Sequence, residues 1–171
     1  METQLDLENE ELEVTASNDA ETAVEKYLTF FVDSQLYTIP SSQVIEIITM
    51  QTVTYMPSLP DFVKGVINIR GKIVPLIDLC LRLKKTPVIV DDQTCVVVIE
   101  IENDNVGLIV DRVRDVTDIS LTQISPAPKV AKKDKESDYL TGVAKLGQEV
   151  AMILNVQKAL DYRLNDDSIA V

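Results

Sequence analysis

The chain has 171 residues, 46% of them hydrophobic, with 28 acidic and 16 basic side chains and a formal net charge of −12. This length can form one domain or two small domains around a substantial core. Histidine is absent, which excludes Ser–His–Asp triads, HExxH sites and Cys/His zinc sites, and we expect no cofactor or metal.

The N-terminal residues carry most of the negative charge. Residues 1–25 hold nine acidic side chains and no lysine or arginine, whereas the remainder holds 19 acidic and 16 basic side chains. Residues 1–23 contain no aromatic residue and few apolar ones, and they predict a disordered acidic leader. The nearly neutral body lacks the basic face that nucleic-acid binding needs. With no signal peptide and no apolar run long enough for a membrane span, we expect a cytoplasmic protein without direct membrane contact.

From Tyr27 onward, short runs of β-branched and aromatic residues alternate with turn residues, a pattern typical of small barrels or sandwiches. The predicted strands are Tyr27–Val32, Leu36–Pro40, Val44–Met50, Gly65–Ile69, Lys72–Ile77, Thr94–Glu102, Val106–Val110, Val113–Ile119, Leu140–Leu146 and Glu149–Leu154. The predicted turns are Asp33–Gln35, Arg70–Gly71, Asn103–Asn105 and Gly147–Gln148. A short helix is predicted at Val156–Tyr162 after a cap at Asn155, and another within Pro57–Lys64. Pro126–Asp138 is predicted to be a long loop.

The chain repeats itself. Residues 62–79 align without gaps on residues 139–156, and shorter matches place residues 36–39 on 106–109 and 44–47 on 113–116. Five short strands bury one apolar face best by curling, so two versions of one five-strand unit predict two small barrels packed together.

The sequence contains few signals for catalysis. It has no complete phosphate-binding loop, no GxSxG and no SxxK. Paired carboxylates could still meet in space, so a carboxylate-dependent hydrolase on a duplicated barrel stays as an alternative, and it requires two acidic residues facing each other in a cleft. Cys80 and Cys95 lie in apolar surroundings, which favours buried free thiols over a redox pair.

One strip of side chains is predicted to meet a partner. Strand alternation places Asn68 and Arg70 outward and Ile67 and Ile69 inward. The same rule turns Ile45 and Ile47 inward and leaves Val44, Glu46 and Ile48 outward. Apolar residues around a carboxylate, with a guanidinium at the edge, are typical of a contact for an amphipathic helix. Alternatively, Val44 and Ile48 belong to the core.

Residues Gly65–Leu79, which read GVINIRGKIVPLIDL, resemble the signature G-V-x-N-L-R-G-x-I-x-P-[VIL]-x-D-L of the CheW family of chemotaxis coupling proteins. Tyr139–Ala144 resembles a second hallmark of that family, and the similarity extends over residues 24–164. The resemblance implies an all-β fold of two pseudo-repeated five-stranded SH3-like barrels, packed together, with short helices. The expected subdomains are roughly residues 27–90 and 94–155, with strand or segment exchange between them left open, followed by a flexible C-terminus at 165–171.

The resemblance also implies a non-catalytic adaptor that couples the cytoplasmic tips of chemoreceptors, the methyl-accepting chemotaxis proteins, to the regulatory domain of the histidine kinase CheA. The residues expected to bind the receptor are Val44, Glu46, Ile48, Asn68 and Arg70. The residues expected to bind the kinase are Val106, Gly107 and Leu108. A coupling protein of the same fold in another two-component array, such as a pilus or developmental system, is the alternative.

Overall fold

The structure, a computed structural model, describes residues 23–128 and 138–160. The predicted leader before Ala23, most of the predicted 126–138 loop and the predicted C-terminus at 165–171 therefore lie outside the described residues. The elements are β1 Val24–Val32, β2 Gln35–Pro40, β3 Val44–Thr49, β4 Val63–Ile69, β5 Lys72–Asp78, α1 Leu79–Lys84, β6 Cys95–Ile101, β7 Asp104–Val110, β8 Arg112–Ser120, β9 Ile124–Ser125, β10 Leu140–Leu146, β11 Glu149–Leu154 and α2 Val156–Leu160.

All ten predicted strands are confirmed, with ends that differ by up to three residues, and so is the helix that starts at Val156. The predicted helix within Pro57–Lys64 is wrong. Thr54 exchanges two backbone hydrogen bonds of 2.9 Å with Val66 of β4, and the residues between Thr54 and β4 form turns instead of a helix. The sequence prediction also missed β9 and α1.

Tight two-residue turns connect the strand pairs. Asp33 and Ser34 both have positive φ, as do Arg70 and Gly71, which is the backbone of the type I′ turns that suit twisted hairpins. The turn predicted at Asn103–Asn105 lies one residue earlier, at Glu102–Asn103, where both residues again have positive φ.

The strands form two sheets. The six-stranded sheet has the order β8-β1-β2-β11-β10-β9, and the five-stranded sheet has the order β3-β6-β7-β5-β4. Neighbouring strands are antiparallel except for two parallel pairs, β2 with β11 and β5 with β7. Each sheet contains strands from both halves of the chain. In chain order, β1, β2, β3, β4 and β5 correspond to β6, β7, β8, β10 and β11. When corresponding strands are exchanged, the order β8-β1-β2-β11-β10 in one sheet becomes the order β3-β6-β7-β5-β4 of the other.

The register of the strands repeats as well. β3 has an extra residue, Ile45, opposite β6, and β8 has an extra residue, Arg114, opposite β1. Lys64 in β4 and Thr141 in β10 are a second matched pair of extra residues. An extra residue of this kind bends the strand and redirects side chains. The shared irregularities and the shared topology confirm the predicted all-β, pseudo-repeated fold.

The largest apolar cluster lies between the sheets, because it takes Leu28 and Phe30 from one sheet and Val97 and Leu108 from the other. A second cluster belongs to the five-stranded sheet alone and includes Val96 and Val98. Successive residues of β6 thus face two different cores, which explains why this strand is apolar at consecutive positions. A third, smaller cluster belongs to the six-stranded sheet.

The five-stranded sheet is curled. β3 and β4 are its opposite edges, yet Arg70 at the end of β4 forms an ion pair with Glu46 of β3. The segment after β3 also reaches β4 through Thr54 and Val66. The two edges therefore approach each other around the second cluster. In the part of the chain that the structure describes, no helix is long and apolar enough to cross a lipid bilayer.

Candidate interaction surface

Three of the five predicted receptor-binding residues, Glu46, Asn68 and Arg70, lie close together, and with the exposed Ile45 and Ile47 they form what we call the β3 surface. Arg70 lies in the β4–β5 turn, where positive φ projects the residue away from the sheet, and its side chain is 74% exposed. Its guanidinium donates to the Glu46 carboxylate, whose side chain is 24% exposed. The ion pair presents most of the donor groups of Arg70 to solvent.

The predicted orientation of β3 is wrong in its apolar residues. Ile45 and Ile47 are 43% and 44% exposed, whereas Val44 and Ile48 are half-buried and pack against the first and second clusters. Burial alternates without interruption along β3 but with the opposite phase to the prediction, because β3 is a sheet edge and its Ile45 and Ile47 side chains are left uncovered. The alternative that Val44 and Ile48 belong to the core is confirmed.

The predictions for β4 are confirmed in the main. Ile67 is buried and Ile69 is half-buried against the second cluster, while Asn68 is exposed. The Asn68 side-chain oxygen accepts a 2.9 Å hydrogen bond from the backbone N–H of Gly71. Asn68 therefore fixes the turn that carries Arg70, so one residue of the β3 surface positions another.

The expected kinase contacts are not on a surface. Leu108 is completely buried in the cluster between the sheets, and Gly107 is buried too. A Cβ at Gly107 would lie 2.6 Å from Leu76 Cδ2 and 2.8 Å from Val96 Cγ1. Leu108 packs into the cluster between the sheets and Gly107 faces Leu76 and Val96 of the second cluster, so neither residue offers the surface that the expected kinase contact needs. Val106 is half-buried.

Asp33 and Asp111 are neighbouring carboxylates of the kind that a hydrolase would need as a pair. The Asp111 carboxylate, however, is bonded to the backbone of the turn that contains Asp33. The Asp111 carboxylate accepts a 2.7 Å hydrogen bond from the backbone N–H of Asp33. Burial raises the pKa of Asp111, and that hydrogen bond partly offsets the increase. Among the residues that the structure describes, no group of three or more cysteine, aspartate or glutamate side chains could hold a metal ion.

Both cysteines are free, as predicted, but only Cys80 is fully buried, and Cys95 is half-buried. Burial raises the pKa of each thiol. Neither thiol is therefore activated as a nucleophile.

Comparison with known proteins places these features in a family. Residues 26–163 match the family model of the CheW-like domain. The Chemotaxis protein CheW of Klebsiella aerogenes is 37% identical over 140 residues, which cover 82% of this chain and 84% of that protein. The Chemotaxis protein CheW of Bacillus subtilis is 30% identical over 145 residues, covering 85% of this chain and 92% of that protein. The crystal structure of the scaffolding protein TtCheW from Thermoanaerobacter tengcongensis superposes with a TM-score of 0.70 at 31% sequence identity, covering 77% of this chain and 84% of that chain.

Proposed function

We propose, because this chain belongs to the CheW-like domain family, that it is a non-catalytic cytoplasmic adaptor that couples chemoreceptor signalling tips to the histidine kinase CheA. In this role it acts by geometry. It holds the receptor and the kinase in a fixed relative position, so that a conformational change in the receptor shifts the kinase between active and inactive populations. Such coupling requires contacts that differ between the two states.

The β3 surface supports the receptor half of this proposal. Ile45 and Ile47 expose apolar area on the edge strand β3, and Glu46, the residue between them, forms an ion pair with Arg70 of the β4–β5 turn. An amphipathic helix can pack its apolar face on Ile45 and Ile47 and place a charged residue near the Glu46–Arg70 ion pair. We therefore assign receptor binding to Ile45, Ile47, Glu46, Asn68 and Arg70. Of the three residues expected to bind the kinase, only Val106 is partly exposed. We therefore propose Val106 alone as a kinase contact.

The proposal is tested by asking whether the protein bridges two purified partners, a receptor tip fragment and the kinase regulatory domain. In a pull-down on the immobilised kinase domain, the wild-type protein should retain the receptor fragment. The Arg70→Glu variant should retain kinase binding and lose the receptor, because the reversed charge repels Glu46 and any acidic partner. Undiminished bridging by Arg70→Glu would remove Arg70 from the receptor site.

A matched control is Lys26→Glu, which reverses an exposed charge that is paired with Asp118 on the six-stranded sheet. This variant should bridge both partners as the wild-type protein does. Failure of the wild-type protein to bind the chemotaxis kinase, with binding to the kinase of a pilus or developmental array, would favour the alternative coupling function.

A further inference from the structure

The duplicated fold has a second edge strand equivalent to β3, and that strand is charged. β8 is the edge of the six-stranded sheet as β3 is the edge of the five-stranded sheet. Arg114 is its extra residue, at the position of Ile45, and Val116, at the position of Ile47, is 55% exposed. The second half of the molecule therefore presents an arginine where the first half presents an isoleucine.

An open groove lies beside this end of β8. Its lining includes Phe31, Gln93, Cys95, Arg112, Arg114 and Glu149. Cys95 is the first residue of β6, in the five-stranded sheet, and Gln93 lies just before it, whereas the other residues belong to the six-stranded sheet, so the groove runs between the two sheets.

Two guanidinium groups give the groove its charge. The Arg112 guanidinium carbon lies 4.3 Å from the centre of the Phe31 ring, and within residues 23–128 and 138–160 it has no carboxylate partner. Arg114 donates through Nη1 to Glu149 at 2.5 Å, and its Nε is buried without a hydrogen bond, 3.8 Å from an Asp115 carboxylate oxygen. A guanidinium stacked on an aromatic ring keeps its in-plane donors for a carboxylate. Arg112 thus has unused donors for an acidic ligand.

The chain itself contains a segment of matching charge. Residues 1–22 hold eight acidic side chains and no basic one, and six of the eight lie within residues 1–13. The segment ends beside β8, because Leu121 N–H donates a 3.4 Å hydrogen bond to the Ala23 carbonyl.

The segment is long enough to reach the groove. Phe31, which pairs with Arg112, is eight residues along β1 from Ala23, a distance of about 26 Å at ~3.3 Å per residue. An extended chain of 22 residues spans about 70 Å. The acidic residues before position 14 can therefore reach Arg112, and tethering supplies them at a high effective concentration.

We propose that the acidic segment of residues 1–22 binds in the groove through ion pairs with Arg112 and Arg114, as an intramolecular ligand of the β8 edge. Glu149 already partners Arg114, so Arg112 is the main anchor. The proposal goes beyond the adaptor function and does not depend on it, since no receptor or kinase takes part.

Cys95 provides a direct readout, because it lines the groove and is half-buried. We compare the rates at which a small maleimide labels Cys95 in the full chain, with mass-spectrometric separation of the two thiols. Neutralising four leader carboxylates, with Glu8, Glu10, Glu11 and Glu13 each replaced by Gln, should raise the labelling rate of Cys95 several-fold. High salt should raise it in the wild-type chain for the same reason. Cys80 is buried and reports unfolding: its labelling should stay slow throughout.

The site is tested by combining variants. Arg112→Gln alters the groove wall and can change Cys95 labelling by itself, so the informative quantity is the additional effect of leader neutralisation in that background. We expect this additional effect to be largely lost. Glu100→Gln with Glu102→Gln, which removes two carboxylates elsewhere in the body, should leave Cys95 labelling unchanged.

Two results would overturn the proposal. One is an equal Cys95 labelling rate in the wild-type and leader-neutralised chains, which would mean that the segment does not cover the groove and leaves the site to an acidic segment of another protein. The other is a leader effect that persists in full in Arg112→Gln, which would place the contact elsewhere.

Discussion

At Gly65 the backbone has φ +142°, and a Cβ there would overlap the carbonyl oxygen of Thr54, whose hydrogen bonds with Val66 hold the segment after β3 against β4. The glycine of the GVINIRG motif is thus required by a close backbone approach. It supports the curl of the sheet that carries Arg70.

We expect Gly65→Ala to lower the free energy of unfolding by about 3 kcal/mol, through strain at φ and the displacement of Thr54. Denaturant titration measures the loss. Gly147→Asn is the matched control, because Gly147 has φ +66° with open space around it, and asparagine tolerates that conformation. A loss of under about 1 kcal/mol is expected there, and equal losses at the two sites would contradict the role of the close approach.

Asp111 is a residue whose ionisation opposes folding. Burial raises its pKa in the folded state, with repulsion from Asp33, Asp91 and Asp78 as smaller causes. A raised carboxyl pKa means that the ionised form costs stability above the folded-state pKa, and the cost disappears as pH falls toward the unfolded-state value.

Asp111→Asn should therefore stabilise the protein at pH 7, by up to about 0.5 kcal/mol because the group is partly exposed. The amide oxygen can still accept from Asp33 N–H, so the turn is kept. Urea titrations across pH 7 to pH 4 should show the advantage of the variant shrinking as pH falls. An advantage that grows toward pH 4 would contradict the assigned cause.

At the scale of elements, equivalent caps begin the two helices. The Asp78 carboxylate accepts from Leu81 N–H at 3.0 Å and from Val88 N–H at 3.0 Å, and Asn155 accepts from Lys158 N–H at 3.1 Å. Asp78 is completely buried, so it orders α1 and the segment after it together. The sequence contained this signal, because an Asp followed by Leu79 and Leu83 at helical spacing is a helix start.

Replacing each cap with alanine should separate the two roles. Asp78→Ala should cost about 2–3 kcal/mol, because it removes a buried carboxylate that accepts from the N–H groups of the half-buried Leu81 and Val88, whereas Asn155→Ala should cost about 1 kcal/mol as an ordinary cap. Thermal melting ranks the two variants. A larger loss for Asn155→Ala would mean that the buried carboxylate of Asp78 is not the anchor.

At the scale of the whole molecule, the two halves are joined by strand pairing as well as by side-chain packing. Each sheet mixes strands of both halves, and Arg82 of α1 stacks on Phe62 and on Tyr139, which are equivalent residues of the two repeats, at 4.4 and 4.9 Å from the ring centres. Arg82 also donates a 2.6 Å hydrogen bond to the Ala159 carbonyl in α2. Neither half can bury its apolar face without the other.

The molecule should therefore unfold in one transition. Urea curves followed by far-ultraviolet circular dichroism and by tyrosine fluorescence should coincide. Two separated transitions would show that the halves are stable alone. The Arg82→Ala variant should lower the single midpoint without splitting it.

The strands, the repeat and the family of this molecule can be predicted from its sequence because the patterns that indicate them are local. Strand positions follow from alternation and turn residues, the repeat follows from aligned apolar positions, and the GVINIRG motif identified the family that the comparisons confirm. The exposure of Asn68 and Arg70 also followed, since both lie next to a turn whose geometry depends on a few neighbouring residues.

Only the tertiary structure decided which faces meet solvent. Ile45 and Ile47 are exposed because β3 is a sheet edge, and Leu108 is buried because the other sheet packs against that face of β7, and both depend on strands that are distant in sequence. Alternation specifies that two faces exist, but the partner strand and the position at an edge or centre determine which face is covered. For the same reason, the pairing of each half with strands of the other half is a property of the folded molecule.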